Sequence, residues 1–199
     1  MSSWSRYITE FVSFLKIEKG LSSNSIIAYQ NDVDKLAGYC IDKNINIKEV
    51  QYTHLKLFVT ELYDVGLSAR SQARIISGIK QFFSYLMLEN LITQDPSILL
   101  EQPKLGRKLP EVLSIEEVDQ LIGAVNLNSN EGSRNRAMLE VLYSCGLRVS
   151  ELVNLKFTDL FYDEGFVRVI GKGNKERLVP LSKSVELEIS TYQEKMRSK

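Results

Sequence analysis

The chain has 199 residues, 44% of them hydrophobic and 25% charged, enough for one large domain or two of about 100 residues each. No stretch approaches the ~20 apolar residues of a membrane span, and the opening MSSWSRYITEF lacks the charged start and apolar run of a signal peptide, so the expected location is cytoplasmic. A formal net charge of zero excludes a uniformly basic protein and leaves any anion-binding role to local clusters.

Apolar residues recur at helical spacing from the start, first at Trp4, Tyr7, Ile8, Phe11 and Leu15, then at Ile26, Tyr29, Val33, Leu36 and Cys40. The break between these two helices, EKGLSSNS, holds a helix-ending Gly20 and the N-cap candidates Ser22 and Ser23. A third helix is expected from Thr53 to Gly66. A fourth carries Ile75, Ile76, Ile79, Phe82, Phe83, Leu86 and Met87 on one face. Four short-looped helices predict a bundle over residues 1–102. Three of the four prolines, Pro96, Pro103 and Pro110, then fall close together with Lys104, Arg107 and Lys108. A basic, Pro-spaced segment of this kind predicts an extended linker over 103–110, suited to two halves that close around something large and negatively charged.

The second half, 111–199, opens with a Ser-x-x-Glu capping box at Ser114 and Glu117. Ala137, Met138, Val141, Leu142 and Cys145 predict a helix that stops near Gly146. Val149, Leu152 and Val153 begin the next. FVRVI and RLVPL, separated by GKGNKE, predict a β-hairpin, and a last helix is expected from Ser182 or Ser184. Cys40 and Cys145 are far apart, form no C-x-x-C pair and read as reduced core thiols. His54 cannot join them in a zinc site at any common spacing.

Two short stretches could carry chemistry. In GLRVSEL, Gly146 to Leu152, Arg148 reads either as a surface arginine paired with Glu151 one turn on, or as a guanidinium held by that carboxylate so that its planar fork meets two phosphate oxygens. In GKGNKERLVPL, Lys172 is flanked by glycines. It reads either as a solvated turn lysine or as a mobile general acid for an alkoxide leaving phosphorus. The spacing is not that of a P-loop. Around it, Arg168, Lys175 and Arg177 complete a local positive edge available to phosphates.

The two stretches in this order, behind a helical domain with Ser-x-x-Ser-x-x-Arg and Phe-Phe elements, make the whole chain resemble the tyrosine recombinase (phage integrase) family, most closely its bacterial Xer type. The resemblance implies a mainly α fold: a four-helix core-binding (SAM-like) domain followed by the first part of a mixed α/β catalytic domain with a small sheet. It implies site-specific recombination through a 3′-phosphotyrosyl link, without ATP or metal, by a homo- or hetero-tetramer assembled with a related recombinase on double-stranded DNA. Arg148 would contact the non-bridging oxygens of the scissile phosphate and Lys172 would protonate the departing 5′ oxygen. Glu151 would orient the site.

The helical half would clamp one side of the DNA. Arg74 and Lys80 would hold phosphates, with Ser22, Asn24, Ser25, Ser71 and Ser77 as lesser contacts, although a polar stripe on a helix is generically a solvated face. The family's His-x-x-Arg pair and attacking tyrosine find no match here: no histidine follows His54, and Tyr192 has no His-x-x-Arg before it. The expectation is therefore a recombinase shortened before its nucleophile, with an Xer role in chromosome dimer resolution favoured over the integron and transposon roles that share the same plan. The alternative is a DNA-binding accessory or decoy protein without catalysis.

Overall fold

The computed structural model describes residues 3–106, 109–129, 131–171 and 173–197. The expectations for Lys172 and Arg107 fall outside these residues. The chain divides into two compact units, Met1–Lys108 and Leu109–Lys199.

The first unit is built from α1 (Ser3–Ile17), α2 (Ser23–Asp42), α3 (Tyr52–Asp64) and α4 (Ala69–Leu88), with one 3₁₀ turn before α3. Serine caps set the starts of the two longest helices. Ser22 Oγ accepts from the Ser25 amide at α2, and Ser68 Oγ accepts from the Ser71 amide at α4. Phe11, Phe82 and Phe83 are fully buried at the centre, and Phe11 meets Phe82 edge-on at 5.2 Å between ring centroids. α2 and α4 run side by side in the same direction: Ala28 meets Arg74, and one turn further along each helix Asp32 meets Gly78. After α4 the chain folds back on this unit, burying Ser97 and Leu100.

The second unit holds α5 (Ile115–Gly123), α6 (Gly132–Cys145), α7 (Val149–Val153), α8 (Lys183–Arg197) and a three-stranded antiparallel sheet in the order β1-β2-β3. β2 (Phe166–Ile170) and β3 (Glu176–Pro180) form the expected hairpin. β1 (Leu160–Phe161) adds a two-residue edge that sequence periodicity did not signal. Ser114 and Glu117 exchange both bonds of their capping box at α5. At α8 the cap is Ser182, whose Oγ accepts from the Val185 amide. Val141, Cys145, Leu147, Val167, Val169, Val185 and Ile189 form the core. Burial pushes the Cys40 thiol up to about 11 and raises that of Cys145, as expected of inert core thiols. No helix among the described residues is long and apolar enough to cross a membrane.

Candidate active site

The site grows from the end of α6. Gly146 takes the left-handed conformation, φ 58°, that stops the helix. Leu147 then buries its side chain in the core and so fixes the backbone one residue before Arg148. Arg148 begins α7, and Glu151, at the third helical position, turns back to accept the Arg148 backbone N–H at 2.8 Å.

Glu151 is the hub. Its side chain is only 3% exposed, yet it holds two arginines. Arg177, on β3 opposite Val169, donates from Nη1 and Nη2 to the two carboxylate oxygens, both at 2.8 Å. Among the described residues Arg148 donates from Nη1 alone, at 2.9 Å, and its side chain is 72% exposed. The Arg177 hydrogen bonds, followed by the Arg148 backbone N–H, hold the Glu151 carboxyl well below the usual carboxylate range. The carboxylate therefore stays ionised near neutral pH and presents Arg148 as an open, fixed fork. Arg148 does pair with Glu151, and that pairing fixes its guanidinium.

Gly171, the residue before Lys172, lies against this ion pair. A Cβ built there would stand 3.2 Å from Glu151 Oε1 and 3.4 Å from Arg177 Nη1. The connection from β2 to β3 thus leaves the sheet beside the carboxylate that holds Arg148. Its turn uses positive φ at Gly173 and Asn174 and is closed by Gly171 N–H donating to Lys175 C=O at 2.8 Å.

The positive edge expected around the hairpin is smaller than its sequence suggests. Arg168 donates through Nε and Nη2 to buried Asp159, and Arg177 is closed on Glu151. Lys175 remains exposed. Sequence reading missed Asp159, whose carboxyl is held below its usual range by Arg168; it had taken the arginine alone, without its partner nine residues earlier. Tyr192 lines an apolar cavity of about 410 Å³ with Ala137, Val141, Leu152 and Ile189.

In the first unit, the stripe on α4 is engaged rather than uniformly solvated. Ser71 hydrogen-bonds Ser68 in the helix cap, as Ser25 does Ser22. Ser77 accepts from Gln102 Nε2 at 2.9 Å and Lys80 donates to the Ile98 carbonyl at 3.4 Å, so both hold the returning segment. Arg74 donates to Asp32. Asn24 and Lys104 are exposed. Nδ1 of His54 accepts the Gln51 amide at the start of α3, a helix-start role.

Comparison with known proteins gives two family matches: residues 8–90 match the phage integrase N-terminal SAM-like domain, and residues 111–198 match the phage integrase family. The chain is 43% identical over 191 residues to the tyrosine recombinase XerD of Staphylococcus epidermidis and 42% identical over 192 residues to that of Staphylococcus haemolyticus. It is covered to 96% in each case and spans 65% of these relatives' length. In fold it is similar to a lambda integrase dimer bound to a COC′ core site, with a TM-score of 0.76 at 17% identity over 96% of this chain and 54% of that one. It is also similar to a XerH site-specific recombinase bound to a palindromic difH substrate, with a TM-score of 0.68 at 20% identity over 96% of this chain and 58% of that one.

Proposed function

The chain belongs to the phage integrase family of tyrosine recombinases, and on that premise we propose that it serves site-specific recombination of double-stranded DNA, in an Xer-type role in the cytoplasm. The reading rests above all on Arg148: an exposed guanidinium fixed through Nη1 to a buried carboxylate, whose other N–H groups make no hydrogen bond among the described residues and suit two phosphate oxygens.

Chemically, a tyrosine oxygen bonds to the scissile phosphorus as the bond to the 5′ oxygen breaks, and the resulting 3′-phosphotyrosyl ester conserves the bond for rejoining. The Arg148 fork lies against the non-bridging oxygens and stabilises the charge they gain in the five-substituent transition state. Lys172 gives its proton to the departing 5′ oxygen. Glu151 stays ionised and positions Arg148, while Arg177 holds Glu151 in turn.

The α-helical unit contributes phosphate contacts, Arg74 foremost, with Lys80, Ser22, Asn24, Ser25, Ser71 and Ser77 around it. Lys104 and Arg107, in the sequence between the two units, add phosphate contacts, and Lys175 adds one beside the hairpin. The assembly is a tetramer on DNA with copies of itself or a related recombinase. The similarity to tyrosine recombinase XerD supports the recombination reading, and a structural neighbour described as a lambda integrase tetramer bound to a Holliday junction supports the tetramer.

The test uses the recombinase that carries this sequence and a duplex selected by binding from a randomised pool, nicked so that cleavage traps the covalent product. Wild type should accumulate a protein–DNA adduct, and Arg148→Ala should bind the duplex but accumulate none at equal times. Binding without any adduct, even in wild type, would favour a DNA-binding accessory protein instead.

A further inference from the structure

The described arginines with carboxylate partners differ in how much of the guanidinium those partners use. Arg177 is closed on Glu151 through both terminal nitrogens, and Arg168 is closed on Asp159 through Nε and Nη2. Arg148 is tethered through Nη1 alone to a carboxylate that is 3% exposed, and its fork stays open.

Arg6 and Arg136 also meet a carboxylate through one nitrogen, but those carboxylates are not buried; among the described residues Arg74, in the first unit, is the other arginine held open by a buried one. Arg74 donates from Nη1 to Asp32 Oδ2, and the same nitrogen reaches the Ala28 carbonyl at 3.5 Å. Asp32 is 1% exposed while Arg74 is 51% exposed, and among the described residues Nε and Nη2 of Arg74 make no hydrogen bond.

Asp32 is costly where it stands. It is buried between α2 and α4, its Oδ1 has no hydrogen-bond partner among the described residues, and Arg74, half in solvent, compensates it only in part. Burial outweighs Arg74 and raises the Asp32 carboxyl above its usual range. The opposite helix makes room for it: a Cβ on Gly78 would stand 2.9 Å from Asp32 Cβ. An apolar residue at position 32 would fill the same interface without leaving an oxygen unpaired. Stability alone therefore does not account for a carboxylate here, whereas fixing one rotamer of a long, half-exposed arginine does.

We propose that Asp32 is a positioning residue for DNA binding: buried between the two helices, it holds Arg74 as a preset fork for a backbone phosphate, as Glu151 holds Arg148 in the other unit. The inference rests on the reading of Arg74 as a phosphate ligand. Its consequence runs against simple electrostatics. Removing a negative charge near bound DNA should tighten binding, yet removing Asp32 should weaken it, because an unfixed Arg74 must be ordered each time DNA binds.

The experiment is a fluorescence-anisotropy titration of the 199-residue chain on a labelled duplex at several salt concentrations, well below each variant's unfolding midpoint as followed through Trp4. Arg74→Ala should lower the slope of log affinity against log salt by about one unit, because one phosphate fewer is neutralised. Asp32→Ala should weaken binding about threefold to tenfold, the cost of ordering one long side chain. In the Arg74→Ala background the same change should no longer weaken binding, and only the slight tightening from the lost negative charge should remain. Asp32→Asn keeps an oxygen acceptor without the charge and should weaken binding by less than Asp32→Ala.

If Arg74→Ala lowers the slope but Asp32→Ala or Asp32→Asn binds as tightly as wild type or tighter, the positioning role is overturned and the phosphate contact survives. If Arg74→Ala leaves the slope unchanged, the phosphate reading itself is overturned. Should Asp32→Ala not fold, the sign of the Asp32→Asn effect, in both backgrounds, still decides.

Discussion

Gly171 lies against Glu151: a side-chain carbon at position 171 would sit 3.2 Å from the Oε1 that holds both Arg148 and Arg177. The hairpin connection and the fixed arginine therefore share one support. Gly171→Ala should displace the carboxylate by a few tenths of an ångström and slow DNA cleavage about tenfold, since misplacement of catalytic groups by 1 Å costs ~10²-fold. Its unfolding midpoint should stay close to that of wild type. Single-turnover cleavage beside thermal unfolding checks this. A cleavage rate equal to wild type would mean that Glu151 yields without moving Arg148.

The two buried carboxylates that hold open arginines should respond to pH in opposite senses. Arg177 and the Arg148 backbone N–H depress the Glu151 carboxyl below its ordinary value of 4.5. Its stabilising contribution is then present above pH 4.5 and lost as pH falls below it. Asp32 is raised above its ordinary 3.8, so its contribution is fully present below pH 3.8 and lost as pH rises through the higher folded value. Trp4, the single tryptophan, is buried in the first unit and reports that unit, and amide exchange in β2 and β3 reports the second. Acidification below pH 4.5 should destabilise the second unit, and Glu151→Gln should flatten that dependence while lowering stability at pH 7. In the first unit, Asp32→Asn should remove a loss of stability on rising pH.

Gly78 is constrained by contact rather than by backbone conformation. Helix propensity alone favours Gly78→Ala by about 1 kcal/mol. The new methyl, however, would stand 2.9 Å from Asp32 Cβ, the root of a side chain with no freedom to swing away. Overpacking of this kind costs about 1–3 kcal/mol, so the net effect should be a loss of stability of up to about 2 kcal/mol, read from denaturant unfolding followed by Trp4 fluorescence. A stabilised Gly78→Ala would show that α2 and α4 can separate without cost.

What the sequence made legible follows from the range of each interaction. Helices α1, α2 and α4 announce themselves because their apolar periods are long, and the hairpin because two β-rich runs flank a glycine-containing turn. Gly146 marks a helix end through its own left-handed backbone, and Ser22 and Ser114 mark helix starts through contacts three residues away. Glu151 was visible for the same reason, three residues from Arg148. Its second arginine, Arg177, lies 26 residues on and joins only when β3 pairs with β2, so it read as a free cation, as did Arg168. Asp32 was hidden because a charge in an amphipathic helix ordinarily faces water. The available signal was its place one turn before Leu36 on the buried face, with a glycine in the middle of α4 to receive it. β1, at two residues, is too short to show alternation.

The most direct measurement of the central claim, that a fixed arginine and a hairpin lysine divide the work on one phosphate, uses the recombinase carrying this sequence and a duplex whose scissile 5′ oxygen is replaced by sulfur. A thiolate leaves without needing a proton. Single-turnover cleavage by Lys172→Ala should therefore be restored on the sulfur substrate by up to the ~10²–10⁴-fold that general acid catalysis supplies. Arg148→Ala should stay slow, because charge still builds on the non-bridging oxygens. Equal restoration of both variants, or of neither, would contradict the division of roles between Arg148 and Lys172.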